Sequence, residues 1–469
     1  MSGSRWPRDP GTAVRDAVPS VPEKGPSVRA GADPVGELAG RLAGFVAAAV
    51  HPDEVAALLE SDGLTDEQIR RAYGHDDSFA LAEDLYARVE RRFPRSGETP
   101  PVPGSPTLLV CLLRGLLFTL PGLGHVLAAP LLVGGRPAHV ALLAAALAGW
   151  AWNQALAHRA YAWLGLGDRP AAARALLRGA PVGVLLGAAA AAAAAPVHVP
   201  ALVFAAGQSL YLAAATVLLV LGRERVLLPA LLPLVAGALL AAVHPAPAWT
   251  HLVLPLASVT AAVGLAAVAV AGVLRSAGSR GRGRDRRRHT GPGGLGASVP
   301  YGLFGLGSGV LVLHVALDSP PFAVALTLGM GPAEWLLHRF RADSLAGLRA
   351  CTSPRAFRTS VARALVRALA GYAGALLTLV AAALLLWPGG GAGPEATTAA
   401  GVLLLGAVLW TGLLLQAFGA VLSPALVCCA AALAPVLLPG SERLLVPAAA
   451  SAVLVLLVCA QLGRITAHR

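Results

Sequence analysis

A small set of polar side chains stands inside the long apolar runs of this sequence. In the first half these are Arg114, His125 and His158, with Asn153, Gln154 and Gln208; in the second they are His314, Asp318, Glu334 and His338, with Gln416. An ionisable group in such a run has to be paired, solvated or neutralised, so it marks function before packing. Arginine offers phosphate or carboxylate a planar fork of donors, and a low-dielectric cavity strengthens the pairing. Arg114 lies near the start of its run, where its head can snorkel to the interface. Asp318 falls at an outer rim, and His158 and His338 fall at the inner headgroup level. That leaves His125, His314, Glu334 and the glutamines as the deep candidates. Glu334 and His338 are four apart and share a helical face, but the second histidine that a zinc protease helix needs is missing. No GxxxxGK[ST] loop occurs, so no ATPase in this chain drives anything. The five cysteines lie in or beside apolar segments without metal-ligand spacing and read as free thiols. No metal, cofactor or catalytic residue is expected.

The elements that position these residues are membrane helices. Of the 469 residues, 56% are hydrophobic and only 13% charged, too few charges to cover a soluble surface of this length. Residues 1–106 hold 17 acidic and 12 basic residues, which leaves 8 acidic and 25 basic for 107–469. The net charge of +12 therefore belongs to loops between apolar runs, and a nucleic-acid-binding face is excluded. The runs lie near 107–133, 138–157, 179–197, 199–221, 226–243, 249–274, 299–317, 321–338, 366–387, 398–421, 424–439 and 444–463. Each approaches the roughly 20 residues that cross a bilayer, the short run 424–439 least convincingly. Arginines fall in alternate connections: Arg159 to Arg178, Arg223 and Arg225, Arg275 to Arg288, Arg339 to Arg367, and the tail. The other connections hold only Arg136 and Arg443, so the positive-inside rule puts both termini in the cytoplasm. A single lysine among many arginines fits a GC-rich bacterial genome, and the expected location is the bacterial plasma membrane.

In front of the runs, 1–33 has a disordered composition, 34–95 a soluble helical pattern and 96–106 the prolines of a linker. Leu38, Leu42, Phe45 and Val46 recur at helical spacing, and Thr65 with Gln68 forms a capping box. Phe79, Leu81, Leu85, Tyr86 and Val89 are further candidates for a small core. This domain reads as a solvated helical cap or a dock for cytoplasmic biosynthetic enzymes.

The apolar part divides at a basic Arg/Gly loop, 275–298, into 107–274 and 299–469. The halves echo each other. Leu120-Pro121-Gly122-Leu123-Gly124 matches Leu303-Phe304-Gly305-Leu306-Gly307, and His158-Arg159 matches His338-Arg339. Basic amphipathic stretches follow at Asp168–Arg178 and Ser353–Arg367. Interrupted helices at corresponding places point to a transporter, with Pro121, Gly122, Gly124, Gly305 and Gly307 as hinge candidates. Close helix packing through small residues is the alternative for each glycine. The expected fold is all-α: about twelve membrane helices as two six-helix pseudo-repeats, plus the soluble domain.

This layout resembles the MATE / polysaccharide-flippase superfamily over roughly 107–469, the Wzx- and Pel-type polysaccharide exporters most closely. Gly165-Leu166-Gly167-Asp168-Arg169-Pro170-Ala171-Ala172-Ala173-Arg174 is the most family-like stretch. The resemblance implies alternating access about a central cavity and, as cargo, a lipid-linked saccharide, a polysaccharide or another amphiphilic anion. MATE antiporters carry a carboxylate in the first helix, which is absent here; Asp168 and Glu224 are both assigned to loops. A first lobe without a membrane carboxylate, but with Arg114 and histidines, favours an anionic ligand over cation coupling. A drug or metabolite antiporter and a non-transporting scaffold remain as alternatives. Membrane glycosyltransferases need an acid in the first outer loop, and Gly134-Gly135-Arg136-Pro137 has none.

Overall fold

The structure is a computed structural model that describes residues 33–62, 64–90, 107–128, 130, 135–244, 247–280, 294–351, 353–386, 396–437 and 444–465. The composition-based readings of 1–32, of the linker 96–106 and of most of the Arg/Gly loop fall outside these residues.

Four short helices make the N-terminal domain: α1 (Pro34–Ala48), α2 (Pro52–Ser61), α3 (Asp66–Tyr73) and α4 (Ser78–Arg88). Each starts at a residue whose side chain accepts from the first turn: Asp33, His51, Thr65 and Asp77. The Thr65–Gln68 capping box closes in both directions, at 3.3 and 2.9 Å. Gly74, at φ +75°, ends α3 in a left-handed cap open only to residues that tolerate that conformation. The Gly36 amide and the Arg88 guanidinium hold the Asp33 carboxyl below its usual range. A depressed carboxylate adds stability above its unfolded value, lost as pH falls through the lower folded one. The core gathers Leu38, Leu42, Phe45, Val46, Leu58, Ile69, Leu81 and Leu85. Phe79 was expected here and is instead 53% exposed, because the buried face of α4 runs through Ser78, Leu81, Ala82 and Leu85. Phe45→Ala should destabilise this domain by about 3–5 kcal/mol, read by chemical denaturation of the full chain followed by proteolysis.

The apolar part comprises α5 (Leu108–Thr119), α6 (Gly122–Ala128), α7 (Gly135–Gly165), α8 (Arg169–Ala194), α9 (Val199–Val220), α10 (Glu224–Val243) and α11 (Thr250–Arg280). After a 3-10 turn (Leu295–Ser298) come α12 (Val299–Asp318), α13 (Pro320–Leu328), α14 (Met330–Ala350), α15 (Pro354–Leu386), α16 (Ala396–Ala417), α17 (Leu422–Leu437) and α18 (Leu445–Ile465). The described residues are all-helical, and among them nine helices are long and apolar enough to cross a membrane. The chain is thus a polytopic membrane protein. α17 and α18 carry shorter apolar stretches, and α13–α14 is a run interrupted at Gly329. Side chains such as Leu185, Leu385 and Leu456 are mostly exposed, as lipid-facing positions must be without a bilayer.

The buried apolar side chains form separate cores. One draws on residues 117–270 and the other on 304–458, which distinguishes lobe 1 (α5–α11) from lobe 2 (α12–α18) by their cores, although α5 itself packs mainly on α13 and α14. Two details differ from the sequence reading. The basic connectors are not separate interfacial helices: Asp168 caps α8 at 2.7 Å from the Ala171 amide, and α8 and α15 run on unbroken into the next membrane segment. The expected interruption at Gly305 and Gly307 is also absent. α12 is continuous there, and both glycines are packing sites: a methyl group on Gly305 would stand 2.8 Å from Gln154 Cγ, and one on Gly307 2.7 Å from the Cys429 backbone nitrogen. The break in lobe 2 lies one helix later, at Gly329. In lobe 1 the break falls at Leu120–Pro121, where proline has no N–H to continue the ladder. Gly122 then opens α6, and Gly124 packs on Leu234.

Candidate functional site

The lobes meet where α5 packs on α13 and α14 and where α7 packs on α12. Glycine makes both contacts close. A methyl group on Gly115 would stand 2.7 Å from the Leu328 carbonyl oxygen; one on Gly331 would stand 2.7 Å from the Cys111 carbonyl oxygen. Backbone therefore lies on backbone in the α5–α14 pair. In the α7–α12 pair, Gly302 faces the Ala151 carbonyl oxygen and Gly309 faces Leu147.

Arg114 sits in the α5–α14 contact. Its guanidinium forks, one arm donating to Glu334 of α14 in lobe 2 and the other to Glu224 Oε1, 2.9 Å away, at the start of α10 in lobe 1. All three side chains are mostly withdrawn from solvent, 29%, 25% and 13% exposed respectively. The Arg114 Nε and the second Glu224 oxygen have no hydrogen-bond partner. One cation thus faces two carboxylates, with Glu334 the acid that reaches across the lobes.

This overturns one expectation. Glu224 is not a bystander in a loop: lobe 1 does bring a carboxylate to the membrane helices. It stands at the first position of α10, where an acid meets the positive end of the helix dipole. The signal was legible as Arg223-Glu224-Arg225 opening an apolar run, an acid at a helix start, but not its reach to Arg114, which is 110 residues away in sequence. Arg114 is also not a vacant anion site in this conformation, since its charge is already answered by two carboxylates.

A second inter-lobe contact lies at the end of α7. The His158 ring stacks on Tyr301 of α12, with centroids 3.8 Å apart, and shares a 3.0 Å hydrogen bond with Ser298. His338 follows Glu334 by one turn of α14 and is half-buried. His125 of α6 lies edge-on to Phe204 of α9, within lobe 1, and the buried side-chain oxygen of Gln208 has no hydrogen-bond partner. Gln154 packs on Gly305 across the lobes. His314 stands apart from these groups; it is exposed and bonds only back to its own helix, at the Val310 carbonyl. Among the described residues no group of His, Cys, Asp or Glu is arranged to hold a metal ion, and the five cysteines are free.

The helical domain packs against α14 at this end of the molecule. Asp62 pairs with Arg341 of α14 at 2.6 Å, and Leu345 of α14 is buried in the domain's own core. On the lobe 1 side, Thr65, Glu67, Gln68 and Arg71 face His158, Arg159 and Leu166 across a cavity of about 240 Å³ that Ser298 also lines. No family model matches the chain, and no curated protein or solved structure matches it.

Proposed function

We propose that this protein is a membrane transporter that works by alternating access, its two lobes rocking about a space between them. The observation that carries the reading is the Arg114–Glu334 ion pair, which joins the lobes within their closest helix contact. A charge pair that only stabilised a fold would lie as well within one lobe. One that spans two separately cored lobes is placed to make and break as they move. In this reading the domain-bearing end is cytoplasmic and closed. The first helix of each half packs on the second helix of the other, an exchange that fits two six-helix pseudo-repeats and twelve spans. α6 turns away beyond Pro121 to pack on α10 and α11 of its own lobe, which suits a cleft opening toward the other side.

The cargo we favour is a lipid-linked saccharide or polysaccharide. The layout resembles the flippase superfamily, and exposed arginines at the bases of α8 (Arg174, Arg178) and α15 (Arg355, Arg358, Arg363) line the cytoplasmic surface where a phosphate-bearing lipid would be met. A drug or metabolite antiporter is the second reading, and Glu224 favours it as a lobe 1 carboxylate against the membrane helices, at the start of α10 and not in the first helix where MATE antiporters carry theirs. A scaffold that never rocks should keep its function when Arg114, Glu224 and Glu334 are neutralised together. In a deletion strain, lost surface polymer with lipid-linked precursor retained inside supports the flippase. Unchanged polymer and precursor removes it and moves the weight to the antiporter.

A further inference from the structure

Four residues of α14 fall on one stripe of the helix. Glu334, His338, Arg341 and Leu345 are spaced by four, three and four, which keeps them within a narrow arc of an α-helix. The first of them reaches Arg114 of lobe 1. Arg341, seven residues and about 10 Å further along, pairs with Asp62. Leu345, one turn beyond, is 8% exposed and completes the core of the helical domain. The side of α14 that meets lobe 1 inside the membrane therefore meets residues 33–90 below it. The same domain presents α3 to the end of α7 in lobe 1 and to the turn before α12.

We infer that the partner of the N-terminal domain is this inter-lobe face of α14, and that the domain is a latch holding the lobes together at the cytoplasmic end. The inference rests on the alternating-access reading. Its physical basis is linkage. An element seated on lobe 2 through Asp62 and α2, and facing lobe 1 across a shared cavity, fits best when that end is closed, so its binding energy adds to the closed state and is lost on opening. Because α14 is continuous from Glu334 to Leu345, displacement of the domain is transmitted along the helix to the Arg114 pair rather than absorbed in a loop. The docking is half ionic and half apolar. A cytoplasmic signal that competes for Asp62, or for the groove Leu345 fills, would open the transporter. Occupation of this groove by the chain itself argues against its use as a standing dock for a separate enzyme.

Cys111 reports the state of the gate, since it is fully buried in α5 beside Gly331 and one turn from Arg114. The experiment uses the full chain in inside-out vesicles, with Cys351, Cys428, Cys429 and Cys459 replaced by alanine, and follows labelling of Cys111 by a membrane-impermeant maleimide. Asp62→Asn and Arg341→Gln should each speed labelling by roughly three- to tenfold. The charge-reversed pair Asp62→Arg with Arg341→Asp should return it to the slow rate, which a merely misfolded domain would not do. Glu334→Gln serves as the control for the gate itself. Faster labelling with Glu334→Gln but not with the Asp62 or Arg341 variants overturns the latch and leaves the gate standing. No acceleration with any of them overturns the alternating-access reading on which the latch rests.

Discussion

Replacing Arg114 by alanine should destabilise the protein by about 3–5 kcal/mol, because it leaves Glu224 and Glu334 facing each other in a poorly hydrated site. The effect is larger than the worth of the ion pair itself. Removing one partner strands the other charges, whereas removing all of them together spares that cost. The triple variant Arg114→Met, Glu224→Gln, Glu334→Gln should therefore recover most of the stability lost by Arg114→Ala. Its transport should stay well below that of the native chain, because the charged contact that biases which side is open is gone. Thermal unfolding in detergent measures the first, and cargo movement into vesicles the second. A scaffold would follow stability alone, with function restored in the triple variant.

Gly331→Val should abolish closure of the lobes. Its first added carbon would lie 2.7 Å from the Cys111 carbonyl oxygen and 3.0 Å from the Leu112 Cα, and both are backbone atoms that cannot rotate aside. The helices must separate, which breaks the Arg114–Glu334 contact one turn away. Overpacking of this kind costs about 1–3 kcal/mol where side chains can yield, and more where only backbone can. Transport should fall at least tenfold, with Cys111 labelled rapidly from the cytoplasm. Gly374→Val makes the comparison, since that glycine has open space around its missing side chain and should be neutral in both assays.

How much of this was legible in the sequence depends on the range of the interaction concerned. Helix starts were local and therefore readable: Thr65 with Gln68, Pro52 after His51, and the apolar runs themselves. Arg114 and Glu334 were readable as individually expensive residues, because the cost of a charge in an apolar run needs no partner to be recognised. Their pairing was not, since it depends on how α5 crosses α14, 220 residues away. Glu224 was set aside because a residue between two runs belongs to either the loop or the helix, and only packing decides. Gly305 and Gly307 show the opposite error. Glycine in an apolar helix signals a break and a close contact in the same way, and α12 uses both for contact, against Gln154 and the Cys428–Cys429 backbone. Gly329, where α13 passes into α14, carried no separate mark. The docking of the soluble domain was likewise hidden, because Leu345 reads as one more apolar residue of its own helix until the domain is in place.

The central claim is that the Arg114–Glu334 contact opens and closes during each cycle. It is tested most directly in a full chain lacking native cysteines, with Arg114→Cys and Glu334→Cys joined by a short bis-methanethiosulfonate linker. Because both charges are then gone, the comparison is made within this one variant, before and after the linker is removed by reductant. Cargo movement that stops on linking and returns on reduction, at whatever lower rate the unlinked variant supports, is the result expected of a gate. Movement at the same rate with the lobes linked would contradict it.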